Sequence, residues 1–126
     1  MQMHENKQKI ERFHVGARMS EMAVHNGTVY LAGQVTTDDN LDIAGQTANV
    51  LAQIDTLLAE AGSDKSHILI CQIYLSDLAN FAAMNQAWDS WVTPGQTPPR
   101  ATVQAALAKP AWLIEVVITA ATAAFK

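Results

Sequence analysis

Two residues in this 126-residue chain are out of keeping with their surroundings. Glu115 lies in Trp112-Leu113-Ile114-Glu115-Val116-Val117-Ile118, a stretch otherwise without charge. An ionised carboxylate buried alone is costly, so it must be protonated, paired with a cation, or turned to a wet cleft. Arg100 is the only Lys or Arg between Lys65 and Lys109, and Pro98-Pro99 just before it restricts the local backbone. A guanidinium fixed in this way can present its planar fork to a carboxylate. The competing reading is a structural salt bridge between Arg100 and Glu115, since ion pairs also occupy such positions.

Other site chemistries have less support. His4, His14, His25 and His67 lack a Glu/His spacing suited to a metal, and surface or strand positions account for them. With Cys71 the only cysteine, neither an internal disulfide nor a cysteine zinc site can form, and its apolar neighbours suit an inert thiol. There is no G-x-G-x-x-G, no Walker sequence and no serine elbow. Trp88 and Trp91 fit the core face of a helix better than a ligand cage. No cofactor or metal is therefore expected.

Something must position Arg100 and Glu115. Residues 20–36 read as a hairpin, with β-prone runs on either side of Asn26-Gly27, a dipeptide suited to a type I′ turn. From Asp42 the period turns helical: Ile43, Thr47, Val50, Leu51, Ile54, Leu57, Leu58 and Ala61 share one face, and Gly62 is the stop. Residues 67–75 are β-prone and too short for another helix, which predicts a buried central strand. Asn80 is placed to cap a second helix with Phe81, Met84, Trp88 and Trp91 on its core face. Residues 93–99 form a breaker-rich loop, and two strands follow, 101–107 and 112–123, with a turn at Lys109-Pro110. A further strand is expected near Ile10 to Phe13. The whole is one domain, 1–126, with the order ββ-α-β-α-ββ and helices on one sheet face.

Composition bears on partners. Apolar residues make up 49% and charged residues 16% of the chain, against roughly 25% charged in an average soluble domain. Val116, Ile118 and Ala120, Ala121, Ala123 and Ala124 suit solvent poorly, so a second sheet face is expected to be covered by oligomerisation. Net charge −4 argues against binding a nucleic-acid backbone. Lys7, Lys9, Arg12 and Arg18 cluster early and read as a solvated strand edge. The polar opening, and the lack of any run near the roughly 18 apolar residues a span needs, predict a cytoplasmic protein without membrane contact.

Pro99-Arg100-Ala101-Thr102-Val103, followed by Ile114-Glu115-Val116, resembles the signature of the Rid (YjgF) family of enamine/imine deaminases. Leu31-Ala32-Gly33-Gln34 is similar to a strand-end motif of that family, and Asp77-Leu78, Phe81 and Asn85 to its second-helix motif. The resemblance implies a chorismate-mutase-like α+β fold, with a mixed sheet of about six strands and two long helices on one face. It further implies a homotrimer with pockets between subunits. The implied chemistry is hydrolysis of reactive enamines or imines to 2-keto acids and ammonia. By position, Arg100 would clamp the substrate carboxylate with the backbone N–H of Thr102, Glu115 would orient the water, and Gly33 and Asn85 would line the pocket.

Three positions depart from the best-known branch: Met19, Ala32 and Thr102 stand where it has tyrosine, serine and cysteine. Arg18 and Ser20, beside Met19, are candidates to compensate, and a substrate larger than the smallest enamine is expected. The endoribonuclease and translation-inhibitor labels carried by the family fit poorly with net charge −4. The alternative function is a non-catalytic trimer that binds a small ligand or partner and keeps Arg100 as a carboxylate anchor.

Overall fold

The hairpin forms where Asn26-Gly27 demands it. In the computed structural model, which describes residues 9–123, Asn26 and Gly27 take φ of 53° and 79°, the left-handed pair of a type I′ turn. They join β2 (Ser20–His25) to β3 (Thr28–Leu31), with His25 opposite Thr28. The additional strand is present as β1 (Glu11–Val15), antiparallel to β2. Arg12 is exposed on this sheet edge, and Lys9 and Arg18 are exposed beside it, as a solvated edge requires. His4, Lys7 and Ala124 lie outside the described residues.

Helix α1 (Ile43–Glu60) starts where the Asp42 side chain accepts the Gly45 N–H at 2.8 Å and stops before Gly62, at φ 75°. Its expected face is buried from Ile43 to Leu58, Ala61 remains half-buried, and Gln46 joins the face unforeseen. The remaining elements are β4 (Ile68–Leu75), α2 (Phe81–Trp91), β5 (Arg100–Gln104) and β6 (Ile114–Ala121). Both final strands are shorter than their apolar runs. Asn80 makes no side-chain capping bond; Asp77 instead accepts the Ala79 N–H and caps the short 3₁₀ turn that leads into α2. Phe81, expected in the core, is 41% exposed.

The six strands form one mixed sheet in the order β1-β2-β3-β6-β4-β5. All neighbours are antiparallel except β4 and β5. The Lys109-Pro110 turn is closed by the Trp112 N–H on the Lys109 carbonyl at 3.1 Å. It does not make β5 and β6 partners, because β4 lies between them. This is an α+β fold of the expected strand and helix content.

The sheet has one helix-covered face. Cys71, Ile73 and Leu75 of β4 and Ile114, Val116, Ile118 and Ala120 of β6 are buried with Val50, Ile54 and Leu58 of α1 and Met84 and Trp88 of α2. Each large side chain so buried contributes about 1.5–3 kcal/mol. Val116, Ile118 and Ala120 are thus covered within the chain, contrary to the expectation that oligomerisation must cover them. Alternation along the strands puts different residues on the other face. There Tyr30, Ile70 and Val103 are 50%, 48% and 44% exposed, so β4 is buried on one side only. Among the described residues no helix is long and apolar enough to cross a membrane.

Candidate active site

Arg100 opens β5, the edge strand next to β4, and stands opposite the buried Cys71. That register aims its side chain at the helix-covered face, where α2 meets it with aromatic rings. The guanidinium carbon lies 5.0 Å from the centroid of Trp88 and 5.9 Å from that of Phe81. No ion pair of Arg100 occurs among the described residues. Asn85 lies between the rings in sequence, four residues after Phe81 and three before Trp88, which places it on the same side of α2. Burial pushes the Cys71 thiol up to about 12 while neighbouring Arg100 pulls the other way, so Cys71 keeps its proton.

Thr102 adds two polar groups to this edge. The Cys71 N–H donates to the Pro99 carbonyl, and the Ala105 N–H to the Leu75 carbonyl. In a parallel ladder the intervening even-numbered N–H groups of β5 therefore point away from β4, toward the free edge. The Thr102 N–H is one of them. Its hydroxyl Oγ1 is buried without a hydrogen-bond partner among the described residues, a rare condition for a group that can both donate and accept.

Glu115 is placed by backbone. Gln34 and Val116 exchange N–H···O bonds of 2.8 and 3.0 Å, which lays the Gly33-Gln34 segment against β6. A Cβ on Gly33 would fall on the Glu115 carboxylate, so a side chain here would displace the carboxylate from this position. The carboxylate is half-buried, makes no ion pair among the described residues, and lines a cleft of about 460 Å³ with Met19, Gly33, Thr36, Ala108 and Trp112. The structure thus gives Glu115 no cation partner among the described residues and turns it to an open cleft. Neither Arg18 nor Ser20 lines this cleft: Arg18 is exposed in the β1–β2 turn, and Ser20 is half-buried at the start of β2. Met19, between them, does line it.

The two charged groups do not meet within one chain. Arg100 pairs with Cys71 and Glu115 with Tyr74, three residues further along β4 and on its other side. Strand spacing and rise put their Cα atoms roughly 14 Å apart, and the odd offset points them to opposite faces. An intrachain salt bridge is thereby excluded. Sequence reasoning missed Phe81 and Trp88 as neighbours of Arg100, although their spacing about Asn85 was a usable signal. It also missed Trp112 and Ala108, whose only signal was nearness to Glu115 in the chain.

Comparison with known proteins decides the family. Residues 9–122 match the family model described as Endoribonuclease L-PSP. The chain belongs to the YjgF (Rid) family. A YjgF-family protein from Neisseria meningitidis superposes on it with a TM-score of 0.90 at 47% identity, covering 92% of this chain and 97% of that one. A RutC family protein of Haemophilus ducreyi is 50% identical over 112 residues, 89% of this chain and 96% of its own length. More distant is a protein of Acinetobacter baylyi named 3-aminoacrylate deaminase RutC, 35% identical over 94 residues, 70% of this chain and 74% of its own. Within this YjgF-family chain, the quoted Arg100, Glu115, Gly33, Asn85 and Thr102 fall into two groups, on the β5 edge and at the β3–β6 junction.

Proposed function

We propose that the chain hydrolyses a reactive enamine or imine of a small 2-amino acid to the 2-keto acid and ammonia. The observation that carries this reading is a guanidinium held beside two rings with no carboxylate of the described residues paired to it. Such a group suits a substrate carboxylate, taken by its planar fork and by the outward N–H of Thr102. Glu115, facing its cleft, accepts a proton from water as the water oxygen attacks the C=N carbon, and the proton passes to nitrogen. In the resulting carbinolamine the hydroxyl gives up its proton, and Glu115 passes it to the nitrogen. The C–N bond breaks as the C=O of the keto acid forms, releasing ammonia. An imine carbon is already electrophilic, so positioning the carboxylate and one water supplies most of what the reaction needs. The deaminase name of the A. baylyi relative supports the same class.

One chain offers these groups on opposite faces, so the working site requires a second copy that brings its Glu115 cleft to the β5 edge. The open face bearing Tyr30, Ile70 and Val103 suits burial between copies, in keeping with a homotrimer. Met19 and Ala32 present no phenol or hydroxyl, which favours an apolar substrate side chain over the smallest enamine. The test is keto-acid release from a panel of imines generated in place by an amino-acid oxidase. Acceleration for at least one side chain is expected. Keto-acid binding without acceleration for any imine would replace this reading with the non-catalytic carboxylate-anchoring trimer.

A further inference from the structure

Arg100 is a half-buried cation whose neighbours are aromatic rings rather than a carboxylate of the described residues. A carboxylate neighbour would steady the guanidinium, but it would also neutralise the charge and occupy the N–H donors that a ligand needs. A ring face attracts the cation through its quadrupole and leaves the in-plane N–H fork unoccupied. Both rings lie within the roughly 6 Å over which that attraction counts.

Trp88 is itself packed in a way that suits a support. It is 6% exposed and packs against Trp91 with ring centroids 5.4 Å apart. The Trp91 indole N–H donates to the Asp55 carboxylate of α1 at 3.0 Å. A series of contacts thus runs from α1 through two indoles to the guanidinium. Phe81, at the start of the same helix, is exposed where its helical position predicts burial, and its contact with Arg100 accounts for a ring at that place.

We infer that Trp88, assisted by Phe81, is the positioning residue of the carboxylate anchor. The rings restrict the Arg100 side chain before substrate arrives, so less freedom is lost when the carboxylate docks. This rests on the reading of Arg100 as a carboxylate clamp in a deaminase. Because the anchor grips a part of the substrate that does not change during reaction, loosening it weakens binding of substrate and transition state alike. The effect therefore falls on KM, with kcat nearly constant.

The experiment measures imine hydrolysis, and calorimetric binding of a short 2-keto acid, for wild type, Trp88→Leu, Trp88→Phe and Phe81→Leu. Trp88→Leu should raise KM and the keto-acid Kd about 3- to 30-fold, the span expected of a desolvated cation–ring contact. Trp88→Phe, which keeps a ring, should recover most of the loss, and Phe81→Leu should give a smaller loss than Trp88→Leu. Where Trp88→Leu fails to fold, Trp88→Phe and Phe81→Leu decide the matter, since one retains the packing and the other changes an exposed ring. Wild-type KM and Kd in Trp88→Leu, or in Phe81→Leu where Trp88→Leu does not fold, or a fall in kcat at constant KM, would overturn the inference. If wild type binds keto acid but hydrolyses no imine, the deaminase reading falls, and the order of Kd values alone decides the role of Trp88. Wild type that neither binds nor hydrolyses would overturn both.

Discussion

On the β5 edge a charged side chain is steadied by two rings from a helix, whereas at the β3–β6 junction one is seated where Gly33 has no side chain. Arg100 depends on what α2 presents to it, and contacts of that kind can be graded by substitution. Glu115 depends on backbone pairing and on an absent Cβ, and any side chain at position 33 would push its carboxylate out of place. The first arrangement suits a group that grips a ligand through a long side chain; the second suits one that must hold a water within a fraction of an ångström. Substitutions in the two places should therefore fail differently.

The largest effect is expected from Arg100→Ala. Loss of a bidentate, charge-assisted contact should lower kcat/KM roughly 30- to 1000-fold. Stability should hardly move, because no carboxylate partner is left behind; breaking a buried pair would instead cost about 3–5 kcal/mol. Arg100→Lys should recover only part of the activity, since an ammonium cannot make the planar two-point contact. Mixing Arg100→Ala with Glu115→Gln under conditions of subunit exchange should restore some activity if the two groups come from different copies. Thermal unfolding beside kinetics checks all of this, and an Arg100→Ala protein that unfolds early would sink the clamp.

Next in size is Gly33→Ala. The new methyl must displace the Glu115 carboxylate or separate Gln34 from Val116. Misplacing a reacting group by about 1 Å can cost roughly 10²-fold. Here kcat should fall with KM nearly unchanged, opposite in kind to the substitutions at Trp88, while Tm should change little because the flexible Glu115 side chain can swing aside. Equal changes in kcat and KM would erase the distinction between the two regions.

The sequence was readable where one local rule governs the outcome. Asn26-Gly27 demanded its turn, Asp42 and Gly62 bounded a helix, and the isolation of Arg100 and Glu115 marked them as candidates. It was misleading where neighbours in space decide. Val116 and Ile118 read as surface in need of a partner, but α1 and α2 cover them. Asn80 had the right chemistry for a cap, but Asp77 begins the turn first. The competing reading, a salt bridge between Arg100 and Glu115, failed because β4 enters the sheet between their strands, a matter of strand order that spacing does not encode.

Gln46 is such a residue, a polar side chain fully buried on the core face of α1. Its amide donates to the carbonyls of Leu41 and Ala111 at 3.1 and 3.0 Å and accepts the Leu113 N–H at 2.9 Å. It thereby ties the segment holding Trp112 to the helix, on the approach to Glu115. Gln46→Ala leaves three backbone groups short of a partner and should cost about 2–4 kcal/mol, measured by denaturant unfolding. Activity below the melting range should fall only several-fold, and through kcat, since the Arg100 edge does not depend on this tie.

The smallest effect is expected at Asp64, whose carboxylate is steadied by neither a ring nor a glycine. It accepts hydrogen bonds from the Ser66 hydroxyl, His67 Nδ1 and the Ser66 N–H within its own turn. The Ser66 hydroxyl first, then His67, hold its pKa below the usual 3.8. A carboxyl group lowered on folding stabilises the native state above its unfolded pKa, and that contribution disappears as pH falls through the folded value. The carboxylate is largely exposed, so solvent screening should keep the effect below about 1 kcal/mol. Thermal unfolding of wild type and Asp64→Ala should diverge as pH rises through 3.8 and converge in stronger acid. At neutral pH both kcat and KM should stay at wild-type values, because this turn supports neither Arg100 nor Glu115. A KM change in Asp64→Ala would mean that the start of β4 transmits strain to the β5 edge, and the two regions would then not be independent.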